Sequence, residues 1–564
     1  MSTIKIFAFG GVGENGKNMY AVEVDEDIFI LDSGLKYPNV ELYGIDKILP
    51  DMTYLKNNAE RVKAVFLSHA HDDHIGAVPH LMSIVKCPIY ASRFTIEMLK
   101  DLFREEEFDY RGLKLITVDE DKMLKFDNVK ISVFYTTHSI PESIGIILWT
   151  KDGLIVYTGN YTFEQNIDAN FRTSFNKLTE IAGKKILVCM SDSLGADKIG
   201  SEYNYHNMMR KLNSIFNRSE KRLIFTVFSS DLRRIQKIID MAQLNERKVA
   251  IIGRRTQRVI DIGVKTGYLK IPKDLFVNLR FIDEKNKNLI DNLVVLVTGD
   301  RHEPFYMLQR MCRKIDRLVH IDENDEIVIM TIPVPGTEKM AARTYDMLSK
   351  NNAKVTIFKR NDLQSGHAYK EEIKLLYNII NPRYLVPVIG EYRHQYAHKE
   401  LAMEMGYLDN DVIELDNGYA AKFENGIYQG KDVLFSAKEI LIDGSSVLDL
   451  NEVVIKDRES LATDGVMLII SNVDARNKKI LTGPEIVTRG FLHDENYDEI
   501  QKEIQVMFKE VAQKHFAERF INWMEFKNDV KSGANKIFFK RNRGRPVIIP
   551  AVISTEPKSQ KNTN

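Results

Sequence analysis

The 564-residue chain lacks the features that mark secreted and membrane proteins. It has only three cysteines, Cys87, Cys189 and Cys312, which lie in or beside apolar or helical segments without metal-binding spacing. No stretch reaches the roughly 18 uninterrupted apolar residues of a membrane span. The first residues, MSTIKIFAFGG, lack the basic and apolar regions of a signal peptide. We therefore expect reduced core thiols, a cytoplasmic location and no membrane partner.

The chain also lacks an excess of either charge. Lys plus Arg and Asp plus Glu both number 79, so the global charge neither supports nor excludes a nucleic-acid partner, and any basic groove must be local. Apolar residues make up 44% and charged residues 28%, as in an ordinary soluble protein. The length is too great for one hydrophobic core, so we expect about three or four structural units.

A dense group of histidines and aspartates is present near the amino terminus: His69, His71, Asp72, Asp73 and His74. The preceding run VKAVFL (62–67) is β-branched and apolar, which predicts a buried strand, and the following run (76–85) has helical spacing. The group therefore lies on a turn at the carboxyl end of a strand, where open α/β sheets bind ligands. A single histidine there would indicate a polar turn, but this set suits Zn²⁺ or Mn²⁺.

The order of predicted elements suggests several modules. Up to about residue 205, strands that end in potential ligands or polar groups indicate one active face: Asp32, His138, Asn160 and Asp192. Between about 206 and 360, strands and helices alternate regularly, which predicts a parallel, Rossmann-like sheet. Residues 384–398 predict a strand, turn and helix of the first module. Residues 430–452 lack a clear period and predict a connector, and a small α+β unit with a long helix near 496–517 follows.

These motifs together resemble known families. The histidine motif with His138 and Asp32 resembles the metallo-β-lactamase fold, an αββα sandwich that holds two metals between its sheets. The Rossmann-like segment resembles the β-CASP domain of nucleic-acid hydrolases. An ordered set over nearly the whole chain resembles the ribonuclease J family: GGVGENGKN (10–18), LDSGL (31–35), HSIPES (138–143), SDS (191–193), PVPGTEK (333–339), QSGHA (364–368), GEYR (390–393) and GPEIVTRGF (483–491).

The resemblance implies a fold class, a domain order and an activity. The expected fold is α/β, a sandwich with an inserted β-CASP domain and a small α+β C-terminal domain. The expected boundaries are 1–205 and 361–430 for the sandwich, 206–360 for β-CASP, 431–452 for a linker and 453–564 for the last domain. The implied activity is a metal-dependent 5′→3′ exoribonuclease, with endonuclease activity left open, in rRNA and mRNA maturation and decay.

The resemblance also implies roles for individual residues. His69, His71 and His138 would hold one metal, and Asp73 and His74 the second. Asp32 is interpreted as a group that orients a ligand histidine. Asp192 and His367 would act beside the scissile phosphate, within a phosphate-binding turn formed by Leu363, Gln364, Ser365, Gly366 and His367. Arginines at helix starts are candidates for tracking RNA, with a solvated helix face as the alternative: Arg233, Arg234, Arg254, Arg255 and Arg258.

Two positions depart from the family pattern. Asn160 stands where an aspartate normally bridges both metals, and Ile389 stands where the third β-CASP motif supplies a histidine. An amide is neutral and isoleucine has no lone pair, so we expect one intact metal site, one weak site and low activity. His394 and His398, on the helix that follows Ile389, are interpreted as surface or interface residues.

Two functional hypotheses remain at this stage. The first is an active enzyme on 5′-monophosphorylated single-stranded RNA. The second is a mainly non-catalytic subunit that partners an active ribonuclease J paralogue. The expected assembly of the chain is a homodimer or a hetero-oligomer with that paralogue, and membership of an RNA degradosome is left open. A small-molecule metallo-hydrolase would leave the β-CASP insert and the SGHA motif unexplained.

Overall fold

The computed structural model describes residues 2–38, 44–164, 168–200, 205–272, 274–281, 290–334, 336–363, 365–444, 446–448, 452–490, 497–542 and 545–554. The chain forms two compact units. The first comprises Met1–Tyr37 and Lys47–Ile442, and the second comprises Pro38–Asp46 and Asp443–Asn564. The described helices include none that is long and apolar enough to cross a membrane.

The strands are, in chain order, β1 (Thr3–Gly10), β2 (Met19–Val24), β3 (Asp27–Leu31), β4 (Lys47–Pro50), β5 (Val62–Leu67), β6 (Ile89–Ala91), β7 (Leu115–Thr117), β8 (Leu124–Lys125), β9 (Lys130–Thr136), β10 (Ser143–Trp149), β11 (Leu154–Tyr157), β12 (Ile186–Asp192), β13 (Arg222–Phe228), β14 (Lys248–Ile252), β15 (Leu293–Gly299), β16 (Asp325–Ile329), β17 (Lys354–Ile357), β18 (Tyr384–Val388), β19 (Tyr419–Glu424), β20 (Ile427–Val433), β21 (Glu439–Asp443), β22 (Ser446–Leu448), β23 (Val466–Asp474), β24 (Lys479–Arg489) and β25 (Val547–Ser554).

The helices are α1 (Thr53–Asn57), α2 (Asp72–Ile75), α3 (Val78–Ile84), α4 (Arg93–Glu105), α5 (Phe175–Ala182), α6 (Tyr205–Arg218), α7 (Leu232–Leu244), α8 (Arg254–Thr266), α9 (Glu303–Cys312), α10 (Glu338–Lys350), α11 (Lys370–Ile380), α12 (Tyr392–Glu404), α13 (Glu452–Thr463), α14 (Tyr497–Phe516) and α15 (Trp523–Asn542). Short 3₁₀ turns lie at Ala59–Arg61, Ala169–Phe171, Leu279–Phe281, Arg360–Asp362 and Asp409–Asp411.

Two sheets face each other in the first unit. One has the strand order β20-β19-β1-β2-β3-β5-β6-β7, and the other has the order β18-β12-β11-β10-β9-β8. Apolar side chains from both sheets, such as Ile6, Val133 and Val386, fill the layer between them. Helices including α3 and α4 cover the first sheet, and α5, α11 and α12 cover the second. This arrangement is the predicted αββα sandwich, called the sandwich below.

The elements from α6 to β17 form an inserted domain between β12 and β18. Its five strands are parallel, in the order β14-β15-β13-β16-β17. All residues of β15 are buried, as expected for a parallel strand that is covered on both faces. Helices α6 to α8 contribute to the apolar core on one face, and α9 and α10 to the core on the other. The Rossmann-like sheet predicted from the regular alternation is therefore present.

The second unit has its own core. Strand β23 pairs with β24 in antiparallel and with β25 in parallel orientation, and α14 and α15 supply the apolar side chains that cover the sheet. Helix α14 is the long helix predicted near 496–517. The tail beyond residue 554, expected to be disordered, lies outside the described residues. The three cysteines are buried and free.

Part of the segment 430–452, which was predicted to be a connector, forms strands. Strand β20 pairs with β19, and residues Glu439–Ile442 of β21 pair with β4 in antiparallel orientation. Most side chains of β20 are exposed or half-buried, because the strand lies at the edge of its sheet. An edge strand of this kind has no apolar alternation, so its sequence gives no period to detect.

Candidate functional site

The predicted site residues follow the carboxyl ends of strands in both sheets of the sandwich: Asp32 after β3, His69 after β5, His138 after β9, Asn160 after β11, Asp192 at the end of β12 and Ile389 after β18. These strands are otherwise apolar, so each places a polar or ligand-type residue where its buried run ends. The contacts described below bring these strand ends to one side of the sandwich.

Three histidines converge at this side. The ligand nitrogens of His69, His71 and His138 lie within 4.8 Å of one another. His69 Nε2 is 3.0 Å from His71 Nδ1, and His138 Nε2 is 3.1 Å from the same atom. Zinc–nitrogen bonds of about 2.0–2.1 Å in a tetrahedron separate the ligand atoms by roughly 3.3 Å. The three nitrogens are therefore spaced to hold one divalent cation.

The surroundings keep these rings neutral and oriented. Burial and the neighbouring imidazoles hold the pKa of His69 and of His138 well below the ordinary value, and burial lowers the pKa of His71 to about 4. His138 Nδ1 lies 2.8 Å from the Gly366 carbonyl, to which a protonated Nδ1 donates, leaving the lone pair on Nε2. Neutral rings with free lone pairs are the form that binds a metal.

A second group lies beside the histidines. His74 Nε2 is 3.6 Å from Asp73 Oδ2, and His74 Nδ1 is 2.8 Å from Asp32 Oδ2. Burial alone would lower the pKa of His74, but the carboxylates of Asp73 and Asp32 raise it above its ordinary value. The side-chain nitrogen Nδ2 of Asn18 donates to Asp73 Oδ2 at 3.0 Å and lies 3.1 Å from His74 Nε2. An N–H donor thus contacts both groups that would have to offer lone pairs to a second metal.

Asp32 has the geometry of an orienting residue. It is fully buried, and its carboxylate accepts from the Ser68 amide at 2.6 Å, the Ser68 hydroxyl at 2.7 Å and the Tyr157 hydroxyl at 2.6 Å, besides contacting His74. It adopts a left-handed backbone conformation with φ of 62°, which turns the chain at the end of β3. Several donors on one carboxylate fix its position, and with it the orientation of His74.

The two departures from the family pattern lie at this site. Asn160 is buried, its Nδ2 is 3.4 Å from His69 Nε2, and its Oδ1 has no hydrogen-bond partner among the described residues. Ile389 is also buried and has φ of 59°, a strained conformation for a β-branched residue. The Ile389 amide donates to the Gly11 carbonyl and the Tyr20 hydroxyl, which fix this backbone geometry although its side chain cannot bind a metal.

The donor sets differ in how well they fit a metal. His69, His71 and His138, with the unpartnered Asn160 Oδ1 beside them, fit one divalent cation. Asp73 and His74 alone do not fit a second, tightly held one, because Asn160 is neutral, Ile389 offers no ligand and the Asn18 amide faces both groups.

Asp192 and His367 form a hydrogen-bonded pair next to this cluster. Asp192 is fully buried, and its Oδ2 lies 2.7 Å from His367 Nδ1. The ring centres of His367 and His138 are 5.8 Å apart. The His367 side chain is partly exposed, and the buried Asp192 carboxylate fixes its orientation.

The turn that precedes His367 is compact. The Ser365 hydroxyl donates to the His367 carbonyl and accepts from its amide, and a Cβ on Gly366 would lie 2.6 Å from His138 Cε1. The Leu363 side chain is buried in the core, so only its backbone could face a ligand. Gln364 lies outside the described residues.

The arginines predicted to track RNA are engaged elsewhere. Arg233 is buried, with its guanidinium 2.7 Å from Glu164, and Arg234 pairs with Asp231 and donates to the Met330 carbonyl. Neither arginine of this pair is exposed in the structure, contrary to the expectation of a basic surface there. Basic residues at the start of a helix can face solvent or the protein interior. Here the start of α7 packs against the protein, so Arg233 is buried.

Arg255 and Arg258 are likewise paired. Arg255 contacts Asp72 and Asp300, and Arg258 contacts Asp101 and Glu105. These ion pairs join helix α8 of the inserted domain to the sandwich, and Arg255 also contacts Asp300 after β15, so both guanidinium groups are held by carboxylates. The side chain of Arg254 lies outside the described part of the structure.

The histidines of α12 are also not surface residues, contrary to expectation. His398 is fully buried, with Nδ1 2.9 Å from the Ser193 hydroxyl and Nε2 2.5 Å from the Tyr377 hydroxyl. His394 is nearly buried, and its Nδ1 accepts from the Glu391 amide at 3.1 Å. Both face inward because α12 covers the second sheet, and neither lies among the clustered ligand atoms.

Three residues that contact the site were not predicted to do so: Asn18, Tyr157 and Arg255. Asn18 ends the GGVGENGKN motif, so its presence in a conspicuous glycine-rich turn was a usable signal. Tyr157 lies at the end of a buried strand, three residues before Asn160, and no local pattern assigns its hydroxyl to Asp32. Arg255 was predicted to track RNA or to lie on a solvated helix face, because its acidic partners Asp72 and Asp300 are distant in sequence.

Comparison with known proteins agrees with this geometry. Four segments match family descriptions: the Metallo-beta-lactamase superfamily at 12–181, the Ribonuclease J beta-CASP domain at 220–348, the Zn-dependent metallo-hydrolase RNA specificity domain at 358–413 and the Ribonuclease J C-terminal domain at 453–555. The second and third of these descriptions concern the inserted domain and the turn with His367.

Full-length relatives are also found. The chain is 32% identical over 554 residues to Ribonuclease J2 of Bacillus subtilis (strain 168), with 98% of each chain covered. It is 34% identical over 553 residues to Ribonuclease J 2 of Staphylococcus epidermidis and 33% identical over 553 residues to Ribonuclease J 2 of Staphylococcus aureus (strain MRSA252), with 97% of this chain and 98% of each relative covered.

These matches and the histidine cluster identify a metal-dependent ribonuclease, a hydrolase that binds RNA and uses a divalent metal. With about one third of residues identical over nearly the full length, the chain belongs to the ribonuclease J family.

Proposed function

We propose that the chain is a 5′→3′ exoribonuclease of lowered activity, with internal cleavage as a secondary mode, in the maturation and decay of rRNA and mRNA. The observation that carries the proposal is the asymmetry of the site. Three neutral histidines are spaced for one cation, whereas Asp73 and His74 lack the bridging carboxylate and the second histidine. One metal, Zn²⁺ or Mn²⁺, is held firmly, and a second binds weakly.

The protein groups around the cluster support phosphodiester hydrolysis. A divalent cation at the three histidines would supply a hydroxide near neutral pH and offset charge on the phosphate. His367 is fixed by Asp192 through Nδ1, which leaves Nε2 to protonate a leaving oxygen or to bond a phosphate oxygen. Its position beside His138 supports this role.

The turn before His367 supports recognition of a phosphate. The amides of Ser365 and Gly366 donate to none of the residues that the structure describes, so they are available to phosphate oxygens. We infer that this turn, with Gln364 and Leu363 contributing through their backbone, receives a phosphate of single-stranded RNA that carries a 5′-monophosphate.

A second candidate function is a mainly non-catalytic subunit. It is favoured by Asn160 and Ile389, which remove two ligands, and by the contact of Asn18 with the two remaining ones. In this function the chain binds RNA and assembles with an active paralogue, within an RNA degradosome. The relatives to which the chain is similar are named Ribonuclease J2 and Ribonuclease J 2.

The deciding experiment is hydrolysis of one RNA that is labelled at both ends, supplied with either a 5′-monophosphate or a 5′-triphosphate, in the presence of Mn²⁺ or Zn²⁺. Release of mononucleotides from the 5′ end, faster with the monophosphate, supports the exonuclease. Internal products of defined length support endonuclease cleavage. No product above that of a His138→Ala variant supports the subunit function.

Matched variants test the contribution of the phosphate turn. His367→Ala should lower cleavage or RNA binding, whereas His80→Ala, on α3 and away from the cluster, should change neither. Equal effects from the two substitutions would contradict the role of the turn.

We also infer that residues beyond about 453 mediate assembly, because the α+β unit carries apolar strands and no catalytic motif. Sedimentation of a chain that is truncated near residue 450 should show a smaller oligomer than the full chain. An unchanged oligomer would contradict this inference.

A further inference from the structure

The guanidinium of Arg255, on helix α8 of the inserted domain, contacts Asp72 in the turn that carries His71, Asp73 and His74. Arg255 Nη2 lies 2.6 Å from Asp72 Oδ1, and Arg255 Nη1 lies 2.6 Å from Asp300 Oδ2. The Tyr37 hydroxyl donates to the other oxygen of Asp72 at 2.7 Å. One arginine thus joins a carboxylate of the sandwich to a carboxylate of the inserted domain.

Asp72 lies between candidate metal ligands in the chain. It follows His71, a member of the histidine cluster, and precedes Asp73 and His74 in α2. His69 and His138 are buried after strands, whereas His71 is only half-buried and belongs to the turn itself. Its placement therefore depends on what holds the turn.

The turn is anchored from two sides. On the side of the sandwich, backbone amides donate to its carbonyls: Leu35 to Asp72 at 3.0 Å, Asn18 to Asp73 at 3.0 Å and Ser33 to His74 at 2.8 Å. On the other side, the Asp72 carboxylate is held by Tyr37 and Arg255. This second anchor comes partly from another domain, unlike the backbone bonds.

The charged groups of this contact are partly shielded from solvent. The Asp72 side chain is 17% exposed and that of Arg255 30%, so solvent screens the pair incompletely. The guanidinium bridges two carboxylates, with one nitrogen on each, so its orientation is fixed from two sides.

We propose that Arg255 is a positioning residue for the metal centre: by holding Asp72, it sets the position of His71 and Asp73 from the inserted domain. The metal turn is then fully ordered only while α8 contacts the sandwich, which couples the inserted domain to the reacting centre. The inference rests on the proposed function for its activity readout, but not for its structural and metal-binding readouts.

The simpler explanation is that Arg255 only docks one domain on another. Helix α8 supplies a matched control for this, because Arg258 also bridges the domains. Its guanidinium lies 2.9 Å from Asp101 and 3.2 Å from Glu105 of α4, away from the turn. A docking role predicts similar effects from Arg255→Met and Arg258→Met, whereas a positioning role predicts that they differ.

The experiment compares full-length wild type with Arg255→Met, Arg258→Met and Asp72→Asn. Hydrogen exchange of the segment 68–76 measures the order of the turn, and Mn²⁺ titration measures metal affinity. We expect Arg255→Met and Asp72→Asn to speed exchange and to weaken Mn²⁺ binding roughly tenfold to a hundredfold, the range for groups that orient metal ligands. Arg258→Met should leave both near wild type.

Three further results complete the test. Arg255→Lys keeps the charge but cannot bridge two carboxylates as a fork, so it should recover only part of the affinity. The double variant Arg255→Met/Asp72→Asn should be no worse than the more affected single variant, since both remove one interaction. In RNA cleavage, Arg255→Met should lower kcat by a larger factor than it changes KM.

Equal exchange and equal Mn²⁺ affinity in Arg255→Met and Arg258→Met would overturn the proposal and leave a docking contact. A wild-type protein that cleaves no RNA would instead refute the proposed exonuclease function, while the exchange and metal readouts would still decide the role of Arg255.

Discussion

Acidification should loosen α12 from the sandwich through protonation of His398. The ring is fully buried between the Ser193 and Tyr377 hydroxyls. Burial lowers its pKa from 6.5 to about 4, and the charge of Asp192 offsets only part of this effect. In the unfolded chain the ring regains an ordinary pKa, so between pH 6.5 and 4 the unfolded state binds more protons than the folded one.

The sign and size of the effect follow from this difference. A depressed folded-state pKa means that the contribution of the neutral ring is fully present above pH 6.5 and is lost as the pH falls towards 4. A gap of roughly 2.5 pKa units, at about 1.36 kcal/mol each, amounts to roughly 3 kcal/mol when the loss is complete. At a pH of about 5 the loss is about 2 kcal/mol.

Hydrogen exchange of residues 392–404 at about pH 7.5 and pH 5, corrected for intrinsic rates, measures this directly. Other titratable groups of the chain also respond to this change of pH, so the wild type is compared with His398→Gln, which cannot ionise but can still accept from Tyr377. We expect the wild-type opening free energy to fall by about 2 kcal/mol more than that of the variant. Parallel losses in the two proteins would refute the reasoning.

Three other outcomes are expected. Gly366→Ala should weaken metal binding roughly tenfold or more, because its Cβ would lie 2.6 Å from His138 and displace that ligand; unchanged affinity in a metal titration would contradict this. Asn160→Asp combined with Ile389→His should restore a second tightly bound metal and raise hydrolysis, whereas either change alone should recover little; additive gains, measured by metal analysis and RNA cleavage, would show that the two positions do not act together. His367→Ala should lower the cleavage rate roughly 100-fold while the bound metal content stays the same, and a loss of metal would instead assign it to the metal cluster.

Much of the architecture was predictable because it depends on local periodicity. The buried run before His69 predicted a strand, and the alternation from β13 to β17 predicted a parallel sheet, since both signals lie within short windows of sequence. The edge strand β20 was missed because its exposed side chains carry no such signal.

Some functional residues could be predicted from a local motif, whereas the environment of others depends on packing. His69, His71 and Asp73 are recognisable because their spacing in one turn is itself the motif. The engagement of Arg233 by Glu164 and the burial of His398 were not predictable, and both were assigned wrongly to exposed positions. The sequence of α7 or α12 shows that a residue lies on a helix, but not which surface the helix covers.

By itself, the sequence determined the strand ends, the histidine-rich turn and the presence of Asn160 and Ile389, because each is a property of neighbouring residues or of a single position. Only the tertiary structure decided which charged groups meet. Asp72 and Arg255 are separated by 183 residues, and their 2.6 Å contact exists because the inserted domain packs against the sandwich. The partner of a charged side chain is set by that packing, and no local pattern encodes it.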